Sequence, residues 1–218
     1  MISFKNVSYS HNRESGIYNA DLQIDAEDFA FLIGPTGSGK TTIMRLIYMD
    51  LFPESGIVTV NGYHSNKIKR RKIPHLRRNI GMVFQDYHLL TDRTLFDNVA
   101  LALHIVGIDS AELEDRVMDV LYEVGLDGKE DRKPNELSGG EQQRACLARA
   151  LVKEPEIILA DEPTGNLDPI AAFELIKLLE KINQEGTSIF MASHNYNLIK
   201  GRGHRIMEIH EGKLRNGL

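Results

Sequence analysis

The sequence predicts an α/β fold with a mainly parallel sheet, and two observations support it. Short apolar runs typical of buried strands alternate with segments of helical periodicity. One such run leads directly into a glycine-rich loop and then into a helix that begins at Lys40. The runs predicted as strands are residues 29–33, 57–60, 80–84, 157–160, 187–192 and 206–209.

The middle of the chain has a different pattern. Apolar residues recur at helical spacing between residues 109 and 125, and no clear apolar strand lies between residues 86 and 150. We therefore expect a single domain of which residues 1–85 and 151–218 form the α/β core. Residues 86–150 form a helical subdomain inserted into that core.

Composition excludes several classes of protein. The 218 residues include 26 basic and 31 acidic side chains, and a net charge of −5 excludes a global charge for binding nucleic acid. A single cysteine, Cys146, cannot form an internal disulfide, which fits a reducing compartment. The first residues lack a signal-peptide pattern, and no apolar stretch reaches the length of a membrane span. These features predict a cytoplasmic chain whose membrane role depends on a partner.

The glycine-rich loop has the pattern of a phosphate-binding loop. Glycines let several backbone N–H groups face one anion, and the helix that follows adds its positive end. We expect Lys40 to bridge the outer phosphates and the Thr41 hydroxyl to ligate Mg²⁺. The residues predicted to contact the nucleotide phosphates are Gly34, Pro35, Thr36, Gly37, Ser38, Gly39, Lys40, Thr41 and Thr42.

Two carboxylates complete the predicted hydrolytic site. Asp161 and Glu162 follow the apolar run 157–160, which we expect to form a strand next to the strand of the phosphate loop. Asp161 then lies near the Mg²⁺. Glu162 is the candidate general base, because a carboxylate beside a phosphate-bound metal can accept a proton from the attacking water. The residues together predict hydrolysis of a nucleoside triphosphate.

A second predicted helix begins with a turn suited to binding an anion. Ser138 and Glu141 have the spacing of a capping box, and Gly139 and Gly140 leave the backbone N–H groups bare. One chain does not need both a phosphate loop and a second anion-binding helix start to bind one triphosphate. In two chains that face each other head to tail, the helix start of each chain can close the nucleotide of the other. The sequence therefore predicts a homodimer closed around nucleotide.

Taken in order, these motifs resemble those of ABC-transporter ATPase domains over nearly the entire chain. The resemblance implies a P-loop core with an N-terminal antiparallel β part and an inserted helical subdomain. It also implies that ATP closes the dimer. Gln85 would then sense Mg²⁺ and the γ-phosphate, Asp168 would act across the dimer, and His194 would align the γ-phosphate and water. The matching segments are Gly34 to Thr41, Gln85, Leu137 to Gln142, residues 157–162, Gly165 to Asp168, and His194.

Within that family, the chain is most similar to the cell-division ATPases of the FtsE type, with lipoprotein-release and macrolide-exporter ATPases as near relatives. The resemblance implies an integral membrane partner of the FtsX type, gripped between Asp86 and Thr94, and a place on the inner face of the cell membrane. An ATP-gated division scaffold and an exporter ATPase remain alternatives. DNA-repair and translation members carry long inserts or a second ATPase domain, for which this chain has no room.

The adenine contact departs from the family pattern. The family stacks adenine on an aromatic ring, commonly tyrosine, before the core begins. Here the aligned position holds His11, and Tyr9 lies two residues earlier. We expect His11 to contact the adenine, with Tyr9 as the alternative.

A basic cluster runs from Lys67 to Arg78 in this otherwise acidic chain. Three interpretations are open: a solvated loop, attraction to an anionic membrane surface, and nucleic-acid binding. Clustered cations favour an anionic leaflet. No aromatic platform supports nucleic acid, which we do not expect as a partner.

Overall fold

The predicted strands lie in two sheets in the computed structural model, which describes residues 1–11 and 15–216. Each predicted run lies within or overlaps a strand, and further strands come from segments with weaker patterns. The strands are β1 (Ile2–Ser10), β2 (Gly16–Ile24), β3 (Phe29–Ile33), β4 (Ser55–Val60), β5 (Tyr63–His64), β6 (Ile80–Phe84), β7 (Ile157–Asp161), β8 (Ser188–Ser193), β9 (Arg205–His210) and β10 (Lys213–Asn216).

The larger sheet carries the core of the fold. Its order is β10-β9-β3-β8-β7-β6, with every pair parallel except β9 and β10. The carboxyl ends of β3, β7 and β8 therefore meet at one edge, where α/β proteins bind ligands.

The expectation that the Asp161 strand lies next to the phosphate-loop strand is wrong. β8 lies between β3 and β7 and pairs in parallel with both. Neighbouring strands are about 4.8 Å apart, so the two motifs are about twice that distance apart across the sheet. Lys40, at the end of the phosphate loop, and Glu162, just after β7, bridge this gap with their side chains. His194, which follows β8, bonds to Glu162 between the two motifs.

The smaller sheet is antiparallel and has the order β2-β1-β4-β5. Asn61 and Gly62 form the predicted tight turn between β4 and β5, with φ angles of 47° and 77°. These left-handed conformations suit an Asn-Gly pair. The end of β1 and the start of β2 bring this sheet to the mouth of the phosphate loop.

The helices surround the larger sheet. They are α1 (Lys40–Ile47), α2 (Ile73–Arg78), α3 (Leu95–Val106), α4 (Ser110–Glu123), α5 (Gly139–Leu151), α6 (Pro169–Gln184) and α7 (Tyr196–Ile199), together with short 3₁₀ turns at Arg70–Lys72 and Pro134–Glu136. Between β6 and β7 the described chain contains α3, α4 and α5 and no strand.

Two apolar clusters fill the interior. One lies between the larger sheet and α3 to α6 and includes Phe31 and the cysteine Cys146. The other surrounds α1 between the two sheets and includes Phe190. Within the described residues, no helix is both long and apolar enough to cross a membrane.

Candidate functional site

Most of the predicted phosphate residues, and all of the predicted metal and catalytic residues, line one cavity of about 570 Å³, which we call the nucleotide cavity. Gly34, Pro35 and Ser38 of the loop are not among its lining residues. The cavity lies at the carboxyl edge of the larger sheet and is bounded on one side by the end of β1 and the start of β2. Its lining residues are His11, Ser15, Gly16, Thr36, Gly37, Gly39, Lys40, Thr41, Thr42, Phe84, Gln85, Asp86, His88, Asp161, Glu162 and His194.

The phosphate loop leaves β3 and enters α1 through glycines that the geometry requires. A Cβ at Gly34 would lie 2.2 Å from the Ile209 carbonyl oxygen, so the loop packs tightly against β9. Gly39 has a φ of 112°, and a Cβ there would lie 2.4 Å from Ile17 Cδ1. Only glycine satisfies both positions. The phosphate loop therefore packs closely against β9 and β2 just before α1 begins.

Lys40 is 4% exposed and crosses the loop. Its Nζ donates to the carbonyl oxygens of Gly34 and Pro35, at 2.8 and 3.0 Å. The same Nζ forms an ion pair with Glu162 Oε1 at 2.9 Å. This ammonium group is therefore already in the cavity and is fully paired by oxygen atoms that a phosphate can replace.

The donor set beside Lys40 fits Mg²⁺. Asp161 is buried, and among the described residues its Oδ1 has no hydrogen-bond partner. Burial raises the pKa of Asp161 above its ordinary value, while a hydrogen bond from the Thr41 side chain lowers it. The unpaired Asp161 Oδ1 and the neighbouring Thr41 hydroxyl are both oxygen ligands of the kind that a hard cation such as Mg²⁺ prefers.

The rest of the coordination must come from elsewhere. Among residues 1–11 and 15–216, no three His, Cys, Asp or Glu side chains come together in a way that could hold a metal ion. Mg²⁺ usually keeps several waters and binds through one or two protein groups together with phosphate oxygens. The site therefore fits a metal that arrives with the nucleotide.

Glu162 is held between two partners. It adopts a left-handed φ of 50°, and its backbone N–H donates to the Ala192 carbonyl at 3.1 Å. One carboxylate oxygen pairs with Lys40, and the other forms a hydrogen bond with Nδ1 of His194. Burial alone raises the pKa of Glu162, but the bonds from Lys40 and His194 outweigh it and hold that pKa below its ordinary value. The carboxylate is thus ionised and aimed into the cavity.

The two adenine candidates occupy different places. His11 lines the nucleotide cavity, and its Nε2 lies 2.9 Å from the Thr42 hydroxyl. Tyr9 packs against the apolar cluster around α1, edge-on to His11, with ring centroids 4.9 Å apart. His11 is therefore the ring that faces the cavity, and Tyr9 supports it from behind.

Gln85 leaves β6 at the opposite wall of the cavity. Its Nε2 donates to Asn166 Oδ1 at 3.3 Å, and Asn166 Nδ2 donates to the Gln85 carbonyl at 3.2 Å. Both residues come from motifs that the sequence identified, but their pairing did not follow from either motif.

The capping box predicted for α5 is present. Ser138 Oγ accepts from the Glu141 N–H at 3.3 Å, and Glu141 Oε2 accepts from the Ser138 N–H at 2.7 Å. Glu141 also pairs with Lys129, a residue that no sequence motif indicated. The bond from Lys129, followed by the bond from the Ser138 backbone, lowers the pKa of Glu141 to about 2. Side-chain hydrogen bonds of Ser138 and Glu141 therefore hold the start of α5 in place.

A second hollow of about 410 Å³ opens at the start of α5, and we call it the signature hollow. Asp168 caps α6 there, accepting from the N–H groups of Ile170 and Ala171 at 2.9 and 3.1 Å. The hollow contains none of the hydrolytic groups of the nucleotide cavity. Its lining residues are Ser138, Gly139, Gly140, Glu141, Arg144, Asn166, Leu167, Asp168, Ile170, Ala171 and Glu174.

Sequence reasoning missed several residues of the cavity wall. Ser15 and Gly16 at the start of β2, and Phe84, Asp86 and His88 around the end of β6, all line the nucleotide cavity. The last three flank Gln85, so proximity to that residue was the one signal that could have identified them.

Comparison with known proteins agrees with this geometry. Residues 17–165 match the family model described as ABC transporter. The chain is 45% identical over 216 residues to the cell division ATP-binding protein FtsE of Mycobacterium tuberculosis, covering 98% of this chain and 94% of that protein. It is 41% identical over 219 residues to FtsE of Escherichia coli, covering 100% of this chain and 99% of that protein.

A solved structure has the same fold throughout. It is a dimer of the ATP-binding cassette MJ0796 in a post-hydrolysis state with ADP and phosphate. It matches with a TM-score of 0.86 and 33% identity, over 99% of this chain and 98% of that one. The P-loop α/β fold predicted from the sequence is thereby confirmed. The chain belongs to the ABC transporter family, as an ATP-hydrolysing member of its FtsE branch.

Proposed function

We propose that this chain is the ATPase of an FtsEX-type complex at the cytoplasmic face of the cell membrane. Two copies close on two ATP molecules, hydrolyse them and reopen. The cycle drives a conformational change in an integral membrane partner of the FtsX type during cell division and cell-wall remodelling.

One observation carries the hydrolytic part of this proposal. Lys40, Glu162 and His194 form a continuous chain of contacts in the nucleotide cavity, with Asp161 and Thr41 beside them. The carboxylate that must accept a proton is thus already next to the cation that must bind phosphate.

The chemistry assigned to each residue follows from its position. Lys40 exchanges its bonds to the loop carbonyls and to Glu162 for bonds to the outer phosphates. Thr41, Asp161 and Gln85 would hold Mg²⁺, which would supply positive charge beside the phosphate oxygens. Glu162 then takes the proton of the attacking water, and His194 keeps the Glu162 carboxylate and the γ-phosphate in line.

The signature hollow supports a site shared by two copies. Its backbone N–H groups and the positive end of α5 suit an anion, yet the hollow has no phosphate loop of its own. A second copy that turns its nucleotide cavity toward this hollow completes both sites. Asp168, at the start of α6, then lies at the contact between the copies.

The membrane partner is proposed to dock beside the segment from Asp86 to Thr94. Asn98 ties that segment down, accepting from the Leu90 N–H at 2.7 Å and donating to its carbonyl at 3.0 Å. A groove of about 460 Å³ lies alongside, between β6, α2 and α3. Its apolar wall includes Leu101 and Ile105, which are 39% and 66% exposed. An amphipathic helix of the partner fits such a wall.

Ile105→Asp tests the docking site. We expect it to abolish co-purification with the membrane subunit while the isolated chain keeps its ATPase activity. Tyr122→Asp is the matched control, because Tyr122 is 75% exposed on α4 and does not line the groove. Loss of the complex in both variants, or in neither, contradicts this docking site.

The basic cluster is proposed to contact anionic lipid at the same face. Arg77 is structural: it donates to the carbonyls of Tyr48 and Met49 at 3.1 and 3.2 Å. The remaining cations are exposed, and Arg78 also lines the groove proposed for the partner. These exposed cations are Lys67, Lys69, Arg70, Arg71, Lys72 and Arg78.

Sedimentation with phosphatidylglycerol-containing vesicles tests the lipid contact. Each cation near such a surface contributes about 1 kcal/mol, so replacing Arg70, Arg71 and Lys72 with Gln should lower binding by about a hundredfold. A triple Gln variant at Lys177, Lys181 and Lys200 should bind like the wild type. Equal losses in both variants, or binding to single-stranded nucleic acid in place of vesicles, contradict the assignment.

Growth of a Glu162→Gln strain separates the ATPase from the scaffold alternative. We expect the strain to show the division defect of a null strain, because the cycle cannot turn over without the general base. Normal division with this variant would support a scaffold. A defect in lipoprotein release or macrolide resistance, with normal division, would support the exporter alternative.

A further inference from the structure

The wall of the nucleotide cavity turns sharply just after Gln85. Tyr87 and His88 both have left-handed backbone, with φ angles of 57° and 50°. The His88 N–H donates to the Asp86 carbonyl at 2.5 Å, which closes a three-residue turn centred on Tyr87. We call residues 85–88 the wall turn, and its side chains at Gln85, Asp86 and His88 line the cavity.

The backbone of the wall turn is strained. Left-handed angles bring the Cβ of an ordinary residue close to a carbonyl oxygen, and such residues persist where surrounding contacts hold them. A three-residue turn with a positive φ at its centre is also the rarer and more strained of its two forms. The wall turn should therefore relax toward ordinary backbone angles unless contacts from outside hold it.

Side chains of α5 supply those contacts. Arg149 Nη1 donates to the His88 carbonyl at 2.6 Å, and Arg149 Nη2 donates to the Tyr87 carbonyl at 3.0 Å. The Cys146 thiol donates to the same Tyr87 carbonyl at 2.8 Å. Both strained residues are thus held by their carbonyl groups from one helix.

That helix is itself fixed against β6, the strand that leads into the wall turn. Gln143 Nε2 donates to the Phe84 carbonyl at 3.1 Å, at the very end of the strand. A Cβ at Gly81 would lie 3.1 Å from the Ala150 carbonyl oxygen, so strand and helix pack closely where Gly81 has no side chain. The donors on α5 therefore keep a constant position relative to the strand.

Arg149 is the stronger of the two donors to the turn. Its planar guanidinium offers several N–H groups in a fixed fork, which suits two neighbouring oxygen atoms at once. In the part of the chain that the structure describes, Arg149 makes no salt bridge, and these two carbonyls are its hydrogen-bond partners. Burial raises the pKa of Cys146 to about 12, so its thiol stays protonated and donates only weakly.

We infer that Arg149 is a positioning residue that holds the wall turn in its left-handed form and so keeps Gln85 at the nucleotide cavity. Without it, Tyr87 and His88 return to ordinary angles, and Gln85 leaves the place where it would help to hold Mg²⁺. The effect on turnover rests on the proposed ATPase function. The shape of the wall turn does not depend on nucleotide and can be measured without it.

Hydrogen exchange on the nucleotide-free full chain tests the hold on the turn directly. The N–H groups of His88 and Leu90 are both hydrogen-bonded in this segment. Release of one left-handed residue corresponds to a factor of about five to thirty, so Arg149→Ala should raise exchange over residues 85–90 by that factor. Exchange in α6 should stay unchanged.

ATP hydrolysis by the isolated chain, measured against Mg²⁺ concentration, tests the consequence for the site. Arg149→Ala should lower kcat by about five- to thirtyfold and raise the Mg²⁺ concentration that gives half the maximal rate. ATP binding without metal should stay within about twofold, because Arg149 does not line the cavity. Arg149→Lys should be intermediate, and it is the variant to use if Arg149→Ala does not fold.

The isolated chain is used because Arg149 also lines the groove proposed for the membrane partner. Arg116→Ala is the matched control. Arg116 is another half-buried arginine, paired with Glu112 and Glu154 away from the cavity. It should leave both exchange over residues 85–90 and kcat within about twofold of the wild type.

A double-substitution cycle separates this role from a general effect on stability. Glycine adopts a left-handed φ without strain, so the wall turn of Tyr87→Gly needs less support. Arg149→Ala should therefore lower kcat much less in the Tyr87→Gly background than in the wild type. A merely structural role of Arg149 predicts the same factor in both backgrounds.

Each outcome has a definite meaning. Unchanged exchange over residues 85–90 in Arg149→Ala, or an equal loss of kcat in both backgrounds, overturns the hold on the turn. Raised exchange with unchanged kcat and Mg²⁺ dependence overturns the positioning of Gln85. A wild-type chain that does not hydrolyse ATP contradicts the proposed function instead, and exchange then still decides whether Arg149 holds the wall turn.

Discussion

The nucleotide cavity and the signature hollow both present glycine-rich backbone at the start of a helix, yet they differ in what surrounds that backbone. In the cavity, Lys40, Glu162 and His194 already contact one another. In the hollow, the side chains of Ser138, Glu141 and Asp168 are engaged in capping α5 and α6. One region holds the proposed reactive groups, and the other presents an oriented backbone together with the side chains of Arg144 and Glu174.

The difference shows why neither region suffices alone. The cavity has the proposed general base, Glu162, and the cation of Lys40. The hollow has a capped helix start but lacks Lys40, Asp161, Glu162 and His194. A capped helix start with free backbone N–H groups suits an anion carried by another molecule, which is the arrangement expected of a site shared by two copies.

The largest effect should come from breaking the cavity. Lys40→Ala removes the cation that binds phosphate and leaves the Glu162 carboxylate without its ammonium partner. We expect ATP hydrolysis to fall by at least about 10²- to 10³-fold, together with loss of nucleotide binding by a single chain. Phosphate release and equilibrium binding of a fluorescent ATP analogue measure the two losses. Retained binding would show that the loop backbone alone holds the triphosphate.

Breaking the hollow should affect hydrolysis and spare binding. Ser138→Asp keeps a good N-cap for α5 but places a negative charge where the other copy's phosphates would lie in the proposed dimer. We expect hydrolysis to fall by about 10²-fold, while ATP binding by a single chain is unchanged. Ser138→Asn is the matched control, an equally good cap without charge. If both variants lose activity equally, charge at the hollow is not the cause.

The capping box and the Glu141–Lys129 ion pair at the start of α5 should make a measurable contribution to the free energy of unfolding. Glu141→Gln weakens the bond to Lys129, which is partly exposed, and should lower the free energy of unfolding by about 1–2 kcal/mol at pH 7. Because the folded-state pKa of Glu141 is lowered to about 2, this contribution is present above its ordinary pKa near 4.5.

The stabilisation that Glu141 provides is lost as the pH falls from about 4.5 toward 2. Urea denaturation at several pH values should therefore show the wild type and Glu141→Gln converging as the solution is acidified. A gap that stays constant from pH 7 to pH 3 would contradict the Lys129 ion pair.

The smallest expected effect concerns the rim of the cavity. His11→Tyr provides a larger ring for the adenine, so ATP binding should tighten by a few fold, within the range of about 0.5–1.5 kcal/mol for an aromatic pair. Tyr9→Phe should change affinity little, since Tyr9 lies behind His11. Titration with ATP and GTP measures both affinity and base preference. An unchanged affinity in His11→Tyr argues against stacking on this residue.

Local patterns predicted much of the molecule. The phosphate loop, the helix that begins at Lys40 and the capping box at Ser138 depend on residues close together in sequence, and each is present in the structure. The order of strands is a property of the whole sheet, so the position of β8 between β3 and β7 could not be read from any one strand.

Local sequence patterns also could not predict which side chains pair with each other. Glu162 pairs with a lysine on another strand's loop, and Gln85 pairs with Asn166 across 81 residues of sequence. Glu141 binds Lys129 from an irregular segment without any pattern of its own. Such pairs depend on how the elements pack, which is decided after the local elements are specified.

In the proposed cycle, each cavity needs the hollow of a second copy. Light scattering on Glu162→Gln, with ATP and Mg²⁺ and without them, tests this need most directly, since we expect the variant to bind ATP without hydrolysing it. We predict a monomer without nucleotide and a dimer with ATP, and the dimer should disappear when Ser138→Asp is added. A strictly monomeric Glu162→Gln variant at saturating ATP, even beside its membrane subunit, would contradict the shared site.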